Sequence, residues 1–179
     1  MMMRWFLGGV LGGAVLLSSM AWAPGLASKE RTGKSQACRS LIVGTFLTTQ
    51  LDSNGVFATR SLFTFHDDGT LAAVLSRQTS GEAGTAFSSQ LGSYSCSSRH
   101  SAVAIAVDFG FPPDQDIGRF DMTVAIDRNR NISGTIVLTL LTPLDSCDPF
   151  HPDDPFNPCT ESQPFDFTFT GFPVPSKLN

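Results

Sequence analysis

Acid–base chemistry needs carboxylates or imidazoles set against one another, and three acids fall within strand-like runs: Asp108, Asp121 and Asp166. Each alternates with the large apolar residues of its own run, which predicts that all three face solvent rather than a shared site. Arg119 is expected to point toward the interior or its rim, where a guanidinium would orient an acidic ligand. His66 and His100 flank turns, and His151 lies in a proline-rich loop. Serines are abundant, but no Gly-x-Ser-x-Gly elbow is present to expose one as a nucleophile. Asp145, Asp148, Asp153 and Asp154, with His151, are oxygen-rich enough for Ca²⁺ but lack the Asp-x-Asp-x-Asp-Gly spacing of a calcium loop. They read as a solvated acidic loop. No catalytic residue, metal ligand set or cofactor is assigned.

Cysteine chemistry depends on compartment. Arg4 followed by the uncharged apolar run Trp5 to Leu17, then Ala21-Trp22-Ala23 and Gly25-Leu26-Ala27, has the order of a secretory signal peptide. Cleavage after Ala27 is expected, giving a secreted or periplasmic protein without a stable membrane anchor. The competing reading is an uncleaved anchor, since about 20 apolar residues can span a bilayer. In an oxidising compartment Cys38, Cys96, Cys147 and Cys159 are expected to form two disulfides. Cys147 and Cys159 bracket one proline-rich loop and are the expected pair, leaving Cys38 for Cys96. No C-x-x-C pair is present, which argues against a cysteine-bound metal.

Charged residues make up 16% of the chain, against roughly 25% in ordinary soluble domains. Lysine is confined to Lys29, Lys34 and Lys177, and the net charge of −4 is spread without a basic patch. Nucleic acid is therefore not an expected partner.

The elements that must position these residues are strands. Leu62-Phe-Thr-Phe-His66 alternates Phe63 and Phe65 against Leu62, Thr64 and His66, and Asp67-Asp68-Gly69-Thr70 then turns the chain into Leu71–Ser76. Similar runs occupy Leu41–Leu51, Val56–His66, Phe87–Cys96, Ala102–Phe109, Ile117–Ile126, Ile132–Leu141 and Phe165–Thr170. Residues 28–40 are polar and aperiodic, predicting a flexible N-terminal segment before a domain over 41–172 and a tail over 173–179. Apolar residues nowhere recur at helical spacing over ten or more positions, so no long helix is expected.

Eight strands joined mostly by short turns close most economically as an all-β, eight-stranded antiparallel up-and-down β-barrel, which removes exposed edges. A two-sheet β-sandwich is the alternative. Five apolar faces are expected to point inward: Phe63/Phe65, Val103/Ile105/Val107, Phe120/Met122/Val124, Ile136/Leu138/Leu140 and Phe165/Phe167/Phe169. The loop over 142–164 is long and rich in proline, and the Cys147–Cys159 bridge is its expected pin.

Four stretches carry a family resemblance. They are Ile42-Val43-Gly44-Thr45-Phe46, Phe63-Thr-Phe-His-Asp-Asp-Gly-Thr70, Leu91-Gly-Ser-Tyr-Ser-Cys96 with Arg99, and Phe120 to Gly134 ending Asn131-Ile-Ser-Gly-Thr135. In order and spacing these resemble exported bacterial small barrels of the calycin and allene-oxide-cyclase-like type. Gly44-Thr45-Phe46 is similar to a weakened lipocalin Gly-x-Trp signature. The resemblance implies an apolar cavity or a tightly filled barrel, in families that include small-molecule binders and cyclases, and oligomers packed through the outer wall. Its motifs are turns and packing positions, and no cyclase active-site residue carries over.

Phe46, Phe63, Phe65, Arg119, Phe120, Met122, Phe167 and Phe169 are accordingly the candidate ligand-binding residues of the lumen. The leading expectation is an exported barrel, without catalysis, that binds a small apolar ligand or serves as a structural module. The alternatives are a cofactor-independent cyclase or isomerase, which needs an open lumen with a buried polar group, and a homo-oligomeric interaction protein using the Ala-rich outer face of Ala102–Phe109 and the proline-rich loop over 142–164. Whether the phenylalanines enclose a space or fill it separates these readings.

Overall fold

The computed structural model describes residues 36–78, 86–111, 116–142, 147–156 and 158–175. The expected signal peptide, residues 28–35, Asp145 and the end of the tail lie outside them. A short helix, α1 (residues 36–42), precedes β1 (Gly44–Asp52), β2 (Phe57–Phe65), β3 (Thr70–Leu75), β4 (Gln90–Ser98), β5 (Ser101–Phe109), β6 (Ile117–Ile126), β7 (Ile132–Thr142), β8 (Thr160–Glu161) and β9 (Phe165–Pro173). Every pairing is antiparallel. β9 returns to β1 and β7 bonds both β6 and β9, so eight long strands close into an up-and-down barrel. β8 only extends the far end of β7, where Leu141 faces Glu161. The barrel, and not the sandwich, is the fold.

The two ends of this barrel differ. At one end three tight hairpins join β2 to β3, β4 to β5 and β6 to β7, and α1 lies over the opening. Its Cys38 and Ile42, four residues apart and so on one helix face, are both fully buried. The segment expected to be flexible up to residue 40 is therefore helical from residue 36, and strand pairing starts at Gly44 rather than Leu41. Seven residues are too few for a helical period to stand out from sequence. Cys38 is bonded to Cys96 of β4, with Cα atoms 5.9 Å apart. Arg130, in the β6–β7 turn, clamps the same junction: Nε donates to Leu41 O at 2.9 Å, and Nη2 to Val43 O at 2.6 Å.

Beneath this cap the lumen is solid. Phe46, Phe63, Phe65 and Phe169 are almost fully buried and meet edge to face, with ring centroids 5.9 Å apart for Phe46–Phe65 and 5.5 Å for Phe63–Phe169. Tyr94 meets Phe65 edge to face, with centroids 5.2 Å apart, and donates its hydroxyl to His66 O at 2.7 Å, tying the β2–β3 turn to β4. Met122, Val124 and Ile136 complete the packing.

β5 runs against expectation. Its inward residues are Ala102, Ala104, Ala106 and Asp108, all buried, while Val103 and Phe109 are about half exposed. Size explains the reversal. The aromatic rings of the neighbouring strands already occupy the lumen, so β5 must contribute small side chains, and its larger residues go outward. The Ala-rich face expected on the outside is therefore the inner one.

Arg119 also needs correction. Residues two apart on a strand share a face, so Arg119 lies with Asp121 on the outer wall, where their side chains form an ion pair at 2.9 Å. It takes no part in the lumen.

At the other end the tight β1–β2 turn over residues 53–56 stands beside three longer connections: residues 76–89, 110–116 and 143–164. The last is pinned by the Cys147–Cys159 bridge, with Cα atoms 5.1 Å apart. Cys147 packs with Ile117 and Leu141 on the outside of β6 and β7, which anchors the loop to the wall beside the opening.

Candidate functional site

Past Phe63 and Phe169 the interior changes character. Thr48, Gln50, Thr59, Ser61, Gln90 and Asp108 form a buried polar belt across the lumen. Inside a barrel such groups must find partners, and most of them do so with one another. Gln50 Nε2 donates to Ser61 Oγ at 2.7 Å, Thr48 Oγ1 donates to Ser61 O at 3.2 Å, and the hydroxyls of Thr59 and Ser76 meet at 3.1 Å.

Above the belt lies a cavity of about 340 Å³, within the range of roughly 300–1,000 Å³ typical of small-molecule sites. Its apolar wall comes from Leu75, Phe87, Phe120, Leu138, Leu140, Phe165 and Phe167. Its polar contributors are Gln50, Thr59, Arg77, Asp108 and Asp116. Phe165 is 49% exposed, so the cavity meets solvent beside it. A groove of about 490 Å³ on the outer wall, along Ala125, Asn131, Ser133 and Thr170, is larger. Its one carboxylate, Asp127, is spent on its own turn, accepting bonds from the backbone N–H groups of Asn129 and Asn131. In the lumen the apolar walls converge instead on a buried carboxyl, Asp108.

Asp108 is the unusual group. It is only 5% exposed. Burial pushes its carboxyl up to about 7; the Gln90 side chain and the Gly118 N–H, hydrogen-bonding to it, pull down, and the nearby Asp116 carboxylate pushes up. Two glycines make room for the pair. A methyl on Gly118 would collide with the Asp108 carboxylate, and one on Gly110 with that of Asp116. The chain thus brings two carboxyls to an apolar cavity, one of them poised to hold or release a proton near neutrality.

Of the eight residues expected to line a ligand site, Phe120 and Phe167 line the cavity. Phe46, Phe63, Phe65, Met122 and Phe169 fill the closed half as core, and Arg119 is outside. The interior is thus half filled and half open. Among the three strand acids, Asp121 and Asp166 face outward as expected, and Asp108 does the reverse because the whole face of β5 is inverted. In the proline-rich loop His151 Nδ1 and Asp148 Oδ2 lie 2.9 Å apart, and this bond holds the Asp148 carboxyl below the ordinary carboxylate range. Asp148 and Asp154 also accept loop N–H groups, from Phe150 and Phe156, so their oxygens serve the loop's own shape.

Sequence reasoning passed over Gln50, Thr59, Gln90 and Asp116. One signal was available: Gln50, Thr59 and Gln90 each sit at the same parity as the inward phenylalanines or tyrosine of their strands. A polar residue on an apolar face is what marks a lumen site.

No family model, curated protein or solved structure matches the chain.

Proposed function

We propose that the protein is an exported barrel that binds a small, largely apolar molecule in the open half of its lumen. The observation that carries this reading is the division of the interior. A close-packed aromatic cluster supplies the core of one half, while the other half keeps an apolar-walled cavity. An interior apolar surface left uncovered costs roughly 25 cal/mol per Å² in lost burial, which an occupant would offset. Export is supported by the N-terminal signal-like run and by the two disulfides, which persist in oxidising compartments. Among the described residues no helix is long and apolar enough to cross a membrane. The closed eight-stranded architecture agrees with the likeness to calycin-type barrels at the level of fold.

The test is binding of the neutral dye prodan, followed by its emission shift, to the wild type and to Leu138→Trp. The added indole would fill much of the cavity while leaving the closed half untouched. Dye affinity is expected to fall at least about tenfold, with the far-ultraviolet circular dichroism unchanged. An unaltered affinity in a folded variant would place the dye elsewhere and remove the reading.

A second reading, confinement of a reactive apolar substrate for cyclisation or isomerisation, is favoured by Asp108, a buried carboxyl able to donate or accept a proton near pH 7. It differs in its readout. It requires turnover that falls in Asp108→Asn and follows the titration of that carboxyl.

A further inference from the structure

The ligand-binding reading leaves the chemistry of the ligand open, and the floor of the cavity narrows it. Asp108 is surrounded by groups that suit an anion: the Gln90 side chain and the Gly118 N–H both hydrogen-bond to its carboxylate. Neither brings a charge. The charged group closest in effect is Asp116, of the same sign, and it raises the cost of ionising Asp108. Arg77, at the end of β3, is the cation of the cavity lining and already has interactions of its own. Among the groups that act on the Asp108 carboxyl there is therefore no cation. The rings of Phe120 and Phe167 line the same cavity, with Phe120 close to the Asp108 carboxyl beside Gly118, and aromatic rings attract cations. A buried carboxyl sharing an apolar cavity with aromatic rings is a combination that favours an organic cation over an anion or a neutral polar group.

We propose that the ligand class is an apolar molecule bearing a single protonated amine, its nitrogen seated against Asp108 beside Asp116 and its body against Phe120, Phe167, Leu138 and Leu140. This rests on the lumen being a binding site. It also fixes the pH dependence. An ammonium bound at Asp108 stabilises the ionised carboxylate, so amine binding displaces the proton that the empty site holds. Affinity for an amine then rises with pH through about 7, where Asp108 titrates, while an aliphatic amine itself stays protonated.

The experiment compares octylamine, octanol and octanoate by isothermal titration calorimetry on the mature, disulfide-bonded protein at about pH 6 and pH 8. Octylamine is expected to bind at least about tenfold more tightly than octanol at the higher pH, with octanoate weakest. Its affinity is expected to fall by up to about tenfold at the lower pH, whereas that of octanol changes little. Asp108→Asn should bring the amine and alcohol affinities together, and Asp116→Asn should narrow the gap in a protein whose floor carboxyl is intact. If neither amine nor alcohol binds, the lumen is not a binding site and both proposals fail. If the alcohol binds as tightly as the amine at both pH values, or octanoate binds tightest, the amine assignment alone is overturned.

Discussion

A carboxyl that titrates at 3.8 in the unfolded chain and at about 7 in the fold keeps its proton inside the barrel over a window where the unfolded chain has released it. The folded state then binds more protons than the unfolded one, so stability falls as pH rises. Asp108's contribution is fully present below about pH 4, declines up to about pH 7 and is flat above it, an interval worth roughly 4 kcal/mol. Asp68, Asp127 and Asp148 act in the opposite sense. Hydrogen bonds to Thr70, Asn131 and His151 lower their titration points, so their stabilisation is lost only on acidifying below about pH 4. The two windows do not overlap. Melting temperature, measured from about pH 4.5 to 7.5, is expected to drop for the wild type by up to about 10 °C and to lose most of that slope in Asp108→Asn. Equal slopes in the two proteins would show that Asp108 does not hold its proton. This residue also marks the limit of what alternation can reveal. A period of two identifies two faces of a strand, but choosing the inner one by hydrophobic size fails when the neighbours already supply the bulk. The alanines of β5 point inward for that reason, and Asp108 goes with them.

At the scale of elements, every long strand was legible, because each is a run of alternating residues bounded by turn chemistry. The inward faces of β2, β6, β7 and β9 were legible too, since there the larger residues do face the lumen. The helix over residues 36–42 was not, being shorter than two turns and held by contacts distant in sequence: the Cys38–Cys96 bridge and the Arg130 clamp. These contacts predict different weights for the two disulfides. Cys38–Cys96 closes a separation of 58 residues and ties down the cap, so replacing both cysteines by Ala should cost about 4 kcal/mol. Cys147–Cys159 closes only 12 and fastens a surface loop, so its loss should cost about 3 kcal/mol or less. Urea unfolding of the two double variants checks the order. A larger loss from the Cys147–Cys159 variant would mean that the proline-rich loop, rather than the cap, secures the barrel.

On the scale of the whole molecule the barrel is a gradient from filled to open. Tight hairpins, the helix and the aromatic cluster occupy one end; long connections, the polar belt and the cavity occupy the other. The connection lengths follow the same polarity: three of the four short turns lie at the filled end, and the three long connections lie at the open one. The lining of the open end was not legible as a site, because its residues come from seven strands and converge only when β9 closes on β1. Backbone amide chemical shifts during a titration with octylamine test the central claim most directly. If the lumen is the binding site, shifts concentrate at Gln50, Gln90, Asp108, Gly118 and Phe167 and saturate together, while Phe46 and Phe63 in the filled half stay in place. Shifts scattered over the outer wall, or none with either octylamine or octanol up to about millimolar concentration, would contradict a binding role for the open half of the barrel.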